Sequence, residues 1–190
     1  NINIIQGDAL KTDLNKVIAQ NLTGFKTMIV ANLPYYITSP IIMKFFEDKL
    51  PISSATVMVQ QEVAERITAK PSTPDYSSFS VACQYHSSPK YLFKVPADAF
   101  YPKPDITSAV VRLDIENHIK PKVADEEKFF KVVKAAFGKR RKTLPNALEG
   151  FFNAKKSEIK ELVKKVCGNE NIRGENLGID EFIKLSELLF

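Results

Sequence analysis

The segment Thr27-Met28-Ile29-Val30-Ala31 is a continuous apolar run behind one threonine. A strand with no polar alternation is expected to be buried on both faces, as in parallel sheets covered by helices on either side. The run breaks at Asn32-Leu33-Pro34-Tyr35. A helix is expected from Ser39-Pro40, with serine as its cap and proline at its first position. The pattern repeats at Ala55–Gln60, a second buried strand that runs into a helix over Gln61–Ala69. Asn3–Gln6 reads as a short strand ending in Gly7-Asp8-Ala9-Leu10, and Phe79–Tyr85 as a helix. Tyr91–Val95 and Thr107–Ile115 read as strands joined by Pro96–Asp105, which contains three prolines. Lys70–Ser78, rich in Pro, Ser and Thr, reads as a mobile loop. Strands alternating with helices in this way imply an α/β fold with a mostly parallel sheet.

From Lys120 the period changes. Phe129, Phe130, Val133 and Phe137 recur at helical spacing, as do Ile159, Leu162, Val163 and Val166, then Phe182, Leu185 and Leu189. Three or four short helices and no strand are expected there. The link at Asn117–Val123 is the expected boundary between a domain at 1–117 and a helical one at 118–190. Charge divides at the same place: residues 1–119 hold 11 Lys+Arg and 11 Asp+Glu, whereas 120–190 hold 16 and 11. The net charge of +5 therefore resides in the second part, which points to an anionic partner there.

Several classes are disfavoured. No apolar run approaches the roughly 20 residues of a membrane span, and no basic-then-apolar leader is visible, so a cytoplasmic protein is expected. Cys83 and Cys167 stand alone, outside any metal-ligand or disulfide pattern, and are read as small buried hydrophobes. His86 and His118 have no partner motif and are read as structural; no metal is expected.

In parallel α/β sheets, ligands bind at the carboxyl edge of the strands. Asn32-Leu33-Pro34-Tyr35 occupies that position after the Thr27–Ala31 strand. A proline turn with a packing tyrosine would give the same letters, but these residue types also suit a specific chemistry. The exocyclic amine of adenine is a poor nucleophile because its lone pair is delocalised into the ring. The side-chain carbonyl of Asn32 and the backbone carbonyl of Leu33, with Pro34 fixing the turn, can accept its two hydrogens. The nitrogen lone pair is then directed at an electrophilic methyl. Tyr35 offers a ring on which an extruded base can stack. No strong base is required, because the proton can leave after methyl transfer; catalysis would rest on orientation and preorganised dipoles.

These residues resemble the dimethyladenosine transferases that modify small-subunit ribosomal RNA (the KsgA type). The resemblance runs in register along almost the whole chain. It includes Gly7-Asp8-Ala9, Asn32 through Pro40, Gln60-Gln61-Glu62-Val63-Ala64-Glu65-Arg66 and Val95-Pro96 through Phe100-Tyr101-Pro102-Lys103-Pro104. It continues through Ser108-Ala109-Val110-Val111, Ala136 through Leu144, and Arg173-Gly174-Glu175-Asn176-Leu177. The implied fold is a Rossmann-like class I methyltransferase domain, truncated, followed by a small all-α C-terminal domain. The implied cofactor is S-adenosylmethionine, with Asp8 and Ala9 at its adenine ring and Asn32 between its methyl and the target adenine. Asn32, Leu33, Pro34 and Tyr35 would form the target-base side. Phe100, held by Pro102 and Pro104, would pack on the other face of the flipped base. Lys139, Arg140, Arg141 and Lys142 would meet the RNA backbone. The same run would also suit a helix terminus, and the charge division favours RNA. The implied partner is small-subunit rRNA or the assembling small subunit, with no membrane.

The chain departs from the family in two places. The Gly-rich loop and acidic residue that hold the rest of the cofactor are not seen, and the seven glycines contain no GxGxG cluster. The chain therefore reads as lacking the N-terminal cofactor segment, and by itself it is expected neither to bind S-adenosylmethionine well nor to be active. The Asn3–Gln6 strand is expected to be displaced or paired elsewhere, and the Thr27–Ala31 strand to have an open edge. A monomer is expected unless that edge pairs with another chain. Secondly, Ser77 follows Tyr76 where the family has glycine, so no role is given to Tyr76. Two alternatives remain: the related large-subunit rRNA adenine methyltransferase of macrolide resistance, and a non-catalytic rRNA-binding module of ribosome assembly. A hydrolase or reductase has neither a nucleophile elbow nor a dinucleotide loop to support it.

Overall fold

The computed structural model describes residues 2–152 and 154–190. The elements follow in the order α1 (Leu14–Asn21), β1 (Met28–Asn32), α2 (Thr38–Glu47), β2 (Ser54–Gln60), α3 (Gln61–Thr68), α4 (Ser78–His86), β3 (Ser88–Val95) and β4 (Ser108–Asp114). α5 (Glu126–Gly138), α6 (Leu144–Leu148), α7 (Lys156–Cys167) and α8 (Ile179–Leu189) complete the chain. Two compact units form, Asn1–Glu65 with His86–His118, and Arg66–Tyr85 with Ile119–Phe190.

The first unit holds a four-stranded sheet in the order β1-β2-β4-β3. β1 and β2 are parallel, but β2–β4 and β4–β3 are antiparallel. The sheet is thus mixed rather than mostly parallel. The reason is local: the Pro96–Asp105 connection carries no full crossover helix, so β3 and β4 close as antiparallel neighbours. β2 and β4 form its core. Ala55, Val57 and Val59 lie opposite Leu113, Val111 and Ala109, and all six are fully buried. Alternate residues Thr56, Met58, Val110 and Arg112 are half-buried on the other face.

Two strand expectations need correction. β1 is not buried on both faces: Met28 is 59% and Val30 83% exposed. It is one of two edge strands, and the face that these side chains share is exposed. Asn3–Gln6 does not form a strand at all; Ile4 and Ile5 are exposed on irregular backbone that no ladder pairs. The helix expected from Ser39 begins at Thr38, preceded by a 3-10 turn over Tyr35–Ile37. Pro40 lies in its third position, and no side chain caps it. Ile41, Ile42, Phe45 and Phe46 form its buried stripe. His86 stacks on Phe46 with centroids 4.8 Å apart, and His118 Nδ1 lies 3.0 Å from Ser88 Oγ.

The second unit is helical. Asp125 caps α5 by accepting from Lys128 N–H at 3.1 Å. Phe129, Val133, Leu144, Leu148, Ile159, Val163, Phe182 and Leu185 build the core from all four of the later helices. The segment 66–85, assigned by sequence to the first domain, belongs with this unit because Ala69, Tyr76, Val81 and Tyr85 bury in the same core. Tyr85 stacks on Phe129 at 4.9 Å, with the Lys120 ammonium 4.7 Å from the Tyr85 ring centroid. Gly174 is tightly enclosed: a Cβ there would lie 2.8 Å from the Ala136 carbonyl oxygen. The Lys70–Ser78 loop is irregular but tied down. Ser72 N–H donates to Glu175 O at 2.8 Å, and Asn176 Nδ2 to Ser72 Oγ at 3.1 Å. Cys83 is fully buried and Cys167 half-buried, and neither forms a disulfide.

Tyr76 brings an unpaired hydroxyl into this core. It is 1% exposed, and its hydroxyl has no hydrogen-bond partner among the described residues. Burial, and then the Glu181 carboxylate, push its pKa up to about 12. Burial and Glu126 do the same for Tyr85, also to about 12. Unfolded tyrosine ionises near 10, so stability is complete below about pH 10 and is lost as the pH rises toward 12. Tyr76→Phe removes an unsatisfied hydroxyl with little change of shape. Denaturant unfolding is expected to show it unchanged or more stable by up to about 1 kcal/mol, with a shallower alkaline loss. Destabilisation beyond about 1 kcal/mol would show that the hydroxyl has a partner.

Candidate active site and nucleic-acid interface

Strand directions collect the candidate residues at one edge of the first unit. β1 and β2 run parallel, so Asn32 lies beside Met58 near both carboxyl ends. β4 runs the other way and brings its first residue, Ser108, opposite Gln60. Val95, the last residue of β3, lies beside Ser108 in turn. The Asn32–Tyr35 turn, the end of β3 and the start of β4 thus lie at one edge of the sheet, the edge at which α/β sheets bind ligands.

The turn is held by its buried members and presents its polar ones. Leu33 is 6% exposed, and its N–H donates to Met58 O at 3.2 Å, extending the ladder one residue past β1. Pro34 takes an extended conformation at φ −57°, ψ 133°, and its carbonyl accepts from Ile37 N–H at 3.2 Å and Thr38 Oγ1 at 3.1 Å. Tyr35 is half-buried, with its hydroxyl 2.8 Å from Oγ of the fully buried Ser108. Asn32 is exposed. Neither its side-chain amide nor the Leu33 carbonyl is engaged in a hydrogen bond among the described residues. Two acceptors, one of them a side chain that can also turn, therefore stand unpaired beside a fixed tyrosine ring. Ser108 was not expected as part of the site; a serine opening an apolar strand was its only signal.

Phe100 is half-buried at the end of a 3-10 turn over Ala97–Ala99, its N–H donating to Ala97 O at 3.2 Å. Asp8 and Ala9 are both exposed. Asp8 organises its own turn: Oδ1 accepts from Leu10 N–H at 2.9 Å, and its carbonyl accepts from Lys11 and Thr12 N–H at 3.0 and 2.8 Å. Its other carboxylate oxygen faces Lys11 Nζ at 3.8 Å. No hydrogen bond joins this turn to Asn32 among the described residues. The described residues contain no group of three or more His, Cys, Asp or Glu that could hold a metal, and no helix long and apolar enough to cross a membrane.

In the second unit, the basic run follows the end of α5. Lys139 is its C-cap, and Lys142 N–H donates to Lys139 O at 2.8 Å, so the run forms a tight turn. Lys139, Arg141 and Lys142 are exposed. Arg140 is engaged differently: its guanidinium bonds the Pro74 carbonyl, and its Nε lies 3.2 Å from Glu175 Oε2. It fastens the 70–77 loop to the Gly174–Asn176 turn.

Among solved structures, a dimethyladenosine transferase from Plasmodium falciparum superposes with a TM-score of 0.74 at 23% identity, covering 95% of this chain and 70% of that one. The 23S rRNA methyltransferase ErmE superposes at 0.62 with 20% identity, over 95% and 79%. These likenesses establish the fold alone, a Rossmann-like α/β part with a helical C-terminal part. The sequence is more specific. The family described as ribosomal RNA adenine dimethylase matches residues 1–189, and this chain belongs to it. The chain is 49% identical over 183 residues to ribosomal RNA small subunit methyltransferase A of Alkaliphilus oremlandii, covering 96% of this chain and 64% of that protein. It is 43% identical over 189 residues to the protein of that name in Clostridioides difficile, covering 100% and 65%. It thus spans just under two thirds of the length of these relatives.

The Tyr35–Ser108 bond predicts a measurable cost. Tyr35→Phe leaves the buried Ser108 hydroxyl without its partner and is expected to lower the unfolding free energy by about 1–2 kcal/mol. The double variant with Ser108→Ala is expected to recover most of that loss. A Tyr35→Phe protein as stable as the parent in urea would mean that the bond does not form in solution.

Proposed function

We propose that a protein built on this chain transfers methyl groups from S-adenosylmethionine to the exocyclic amine of adenosines in small-subunit ribosomal RNA, as a step of ribosome biogenesis in the cytoplasm. The observation that carries this reading is the pair of unengaged acceptors, the Asn32 amide and the Leu33 carbonyl, at the ligand edge of the sheet. Family membership and the names of relatives at 43–49% identity favour the small-subunit substrate over the large-subunit one.

Asp8 and Asn32 fit the cofactor in chemistry: an exposed carboxylate suits an adenine amine, and an unengaged amide suits the reaction centre. When bound, S-adenosylmethionine supplies an electrophilic methyl. Asn32 and Leu33 accept the two amine hydrogens and hold the nitrogen pyramidal, which frees its lone pair. Tyr35, its ring fixed through Ser108, and Phe100 sandwich the extruded base; stacking of this kind contributes about 1–3 kcal/mol per base. Once the amine held by Asn32 and Leu33 has taken up that methyl, its surplus proton would pass to water, so no strong base is needed among these residues. Lys139, Arg141 and Lys142 meet the phosphates, while Arg140 holds the loop beside them.

The test uses a protein of the relatives' full length that carries these residues. It is expected to place methyl groups on adenosine N6 in small-subunit RNA. Methylation of naked large-subunit RNA instead would overturn the substrate assignment, and salt-sensitive RNA binding without methyl transfer would favour a non-catalytic assembly module. The 190-residue chain by itself is expected to show no saturable S-adenosylmethionine binding in the micromolar range by calorimetry, because its seven glycines form no GxGxG loop to hold the rest of the cofactor.

A further inference from the structure

α7 carries charges that helix physics does not explain. Lys156, Lys160 and Lys164 are all exposed and spaced by four residues. At 3.6 residues per turn, successive members are rotated by about 40° and advance about 6 Å, so they form one row. Glu158 and Glu161 are turned away from Lys160, the middle of the row, by about 100° or more. A cation in the last turn complements the helix dipole, which accounts for Lys164 and Lys165. The other end is anomalous. Lys155 at the N-cap makes no side-chain cap, its N–H instead donating to Glu158 Oε2 at 2.9 Å, and Lys156 opens the first turn. Both lie where the dipole disfavours a cation and where Ser, Thr, Asp or Asn is preferred.

Local pairing does not absorb the row. Lys156 reaches Glu149 at 3.2 Å and Lys160 reaches Glu170 at 3.8 Å, through side chains 46% and 47% exposed. Such surface pairs exchange readily for another anion. Lys164 has no carboxylate within ion-pair distance among the described residues. The apolar side of α7 is already used: Ile159 and Val163 are fully buried in the core, and Leu162 and Val166 are half-buried. No apolar face remains to enter a lipid surface, as an interfacial helix requires.

We propose that Lys156, Lys160 and Lys164 form a second phosphate-binding strip for RNA, separate from the Lys139–Lys142 turn. The pitch of the row is of the same order as the spacing of phosphates along one strand. This rests on the RNA-binding reading above, and it assigns this helix a role in fixing how the RNA lies across the second unit.

The test is the salt dependence of binding to a small-subunit rRNA transcript. Each phosphate contact contributes roughly 0.7–0.9 to the slope of log K against log salt. Lys156→Gln, Lys160→Gln and Lys164→Gln together are expected to reduce the slope by about 2. The affinity ratio between 50 and 200 mM salt should then shrink on the order of ten-fold. A charge-matched control, Lys16→Gln with Lys90→Gln and Lys94→Gln, is expected to keep the parental slope. The Lys→Arg triple variant should also keep it, which separates charge from any effect on folding. A parental slope in the glutamine variant, or an equal fall in the control, overturns the strip while leaving RNA binding intact. A parent that shows no salt-dependent binding overturns both readings, and binding to anionic vesicles but not RNA overturns the assignment of partner.

Discussion

Parallel pairing of β1 with β2 is the constraint on which the candidate site depends. It sets Asn32 against Met58, and the Leu33 N–H to Met58 carbonyl bond carries the ladder one residue further. That registration leaves Asn32 exposed while Leu33 is buried. The antiparallel return of β4 supplies the second half of the constraint. It places a buried serine where it can hold the tyrosine ring that follows the turn. The turn is therefore held through its buried members, and the exposed Asn32 amide stays unengaged at no cost because water can reach it.

Much of this was legible in the sequence. Helical periodicity over Phe129–Phe137 and Phe182–Leu189 marked buried faces, because a seam of large apolar residues at that spacing has few other uses. The turn after the first apolar run was legible because proline and tyrosine interrupt a strand abruptly. What failed was burial, which depends on neighbours. Val30 sits in a run that reads as a two-sided core strand, yet one of its faces is bare. Asn3–Gln6 has the composition of a strand but lacks the ladder partner that would make it one. The mixed sheet was missed because periodicity reports where strands are and says nothing about their direction. Tyr76 and Tyr85 join the helical core from a segment whose pattern looks like part of the first domain.

The basic run shows how a charge count under-describes a surface. Four successive cations look equivalent in sequence, but Arg140 is committed to Pro74 and Glu175, whereas the other three are exposed with no such tie among the described residues. Solvent exposure and loop anchoring are thus divided among neighbours in one turn. α7 has the opposite character. Its lysines are spread over three turns, and their meaning emerges only when helix geometry aligns them.

The central claim is that Asn32 holds the reacting amine. In a protein of the relatives' full length, Asn32→Ala is expected to lower the rate of methyl transfer to bound small-subunit RNA by about 10²–10³-fold. Its unfolding free energy should stay within about 0.5 kcal/mol of the parent, because the exposed side chain supports nothing around it. A variant that methylates within a few-fold of the parental rate would contradict the account.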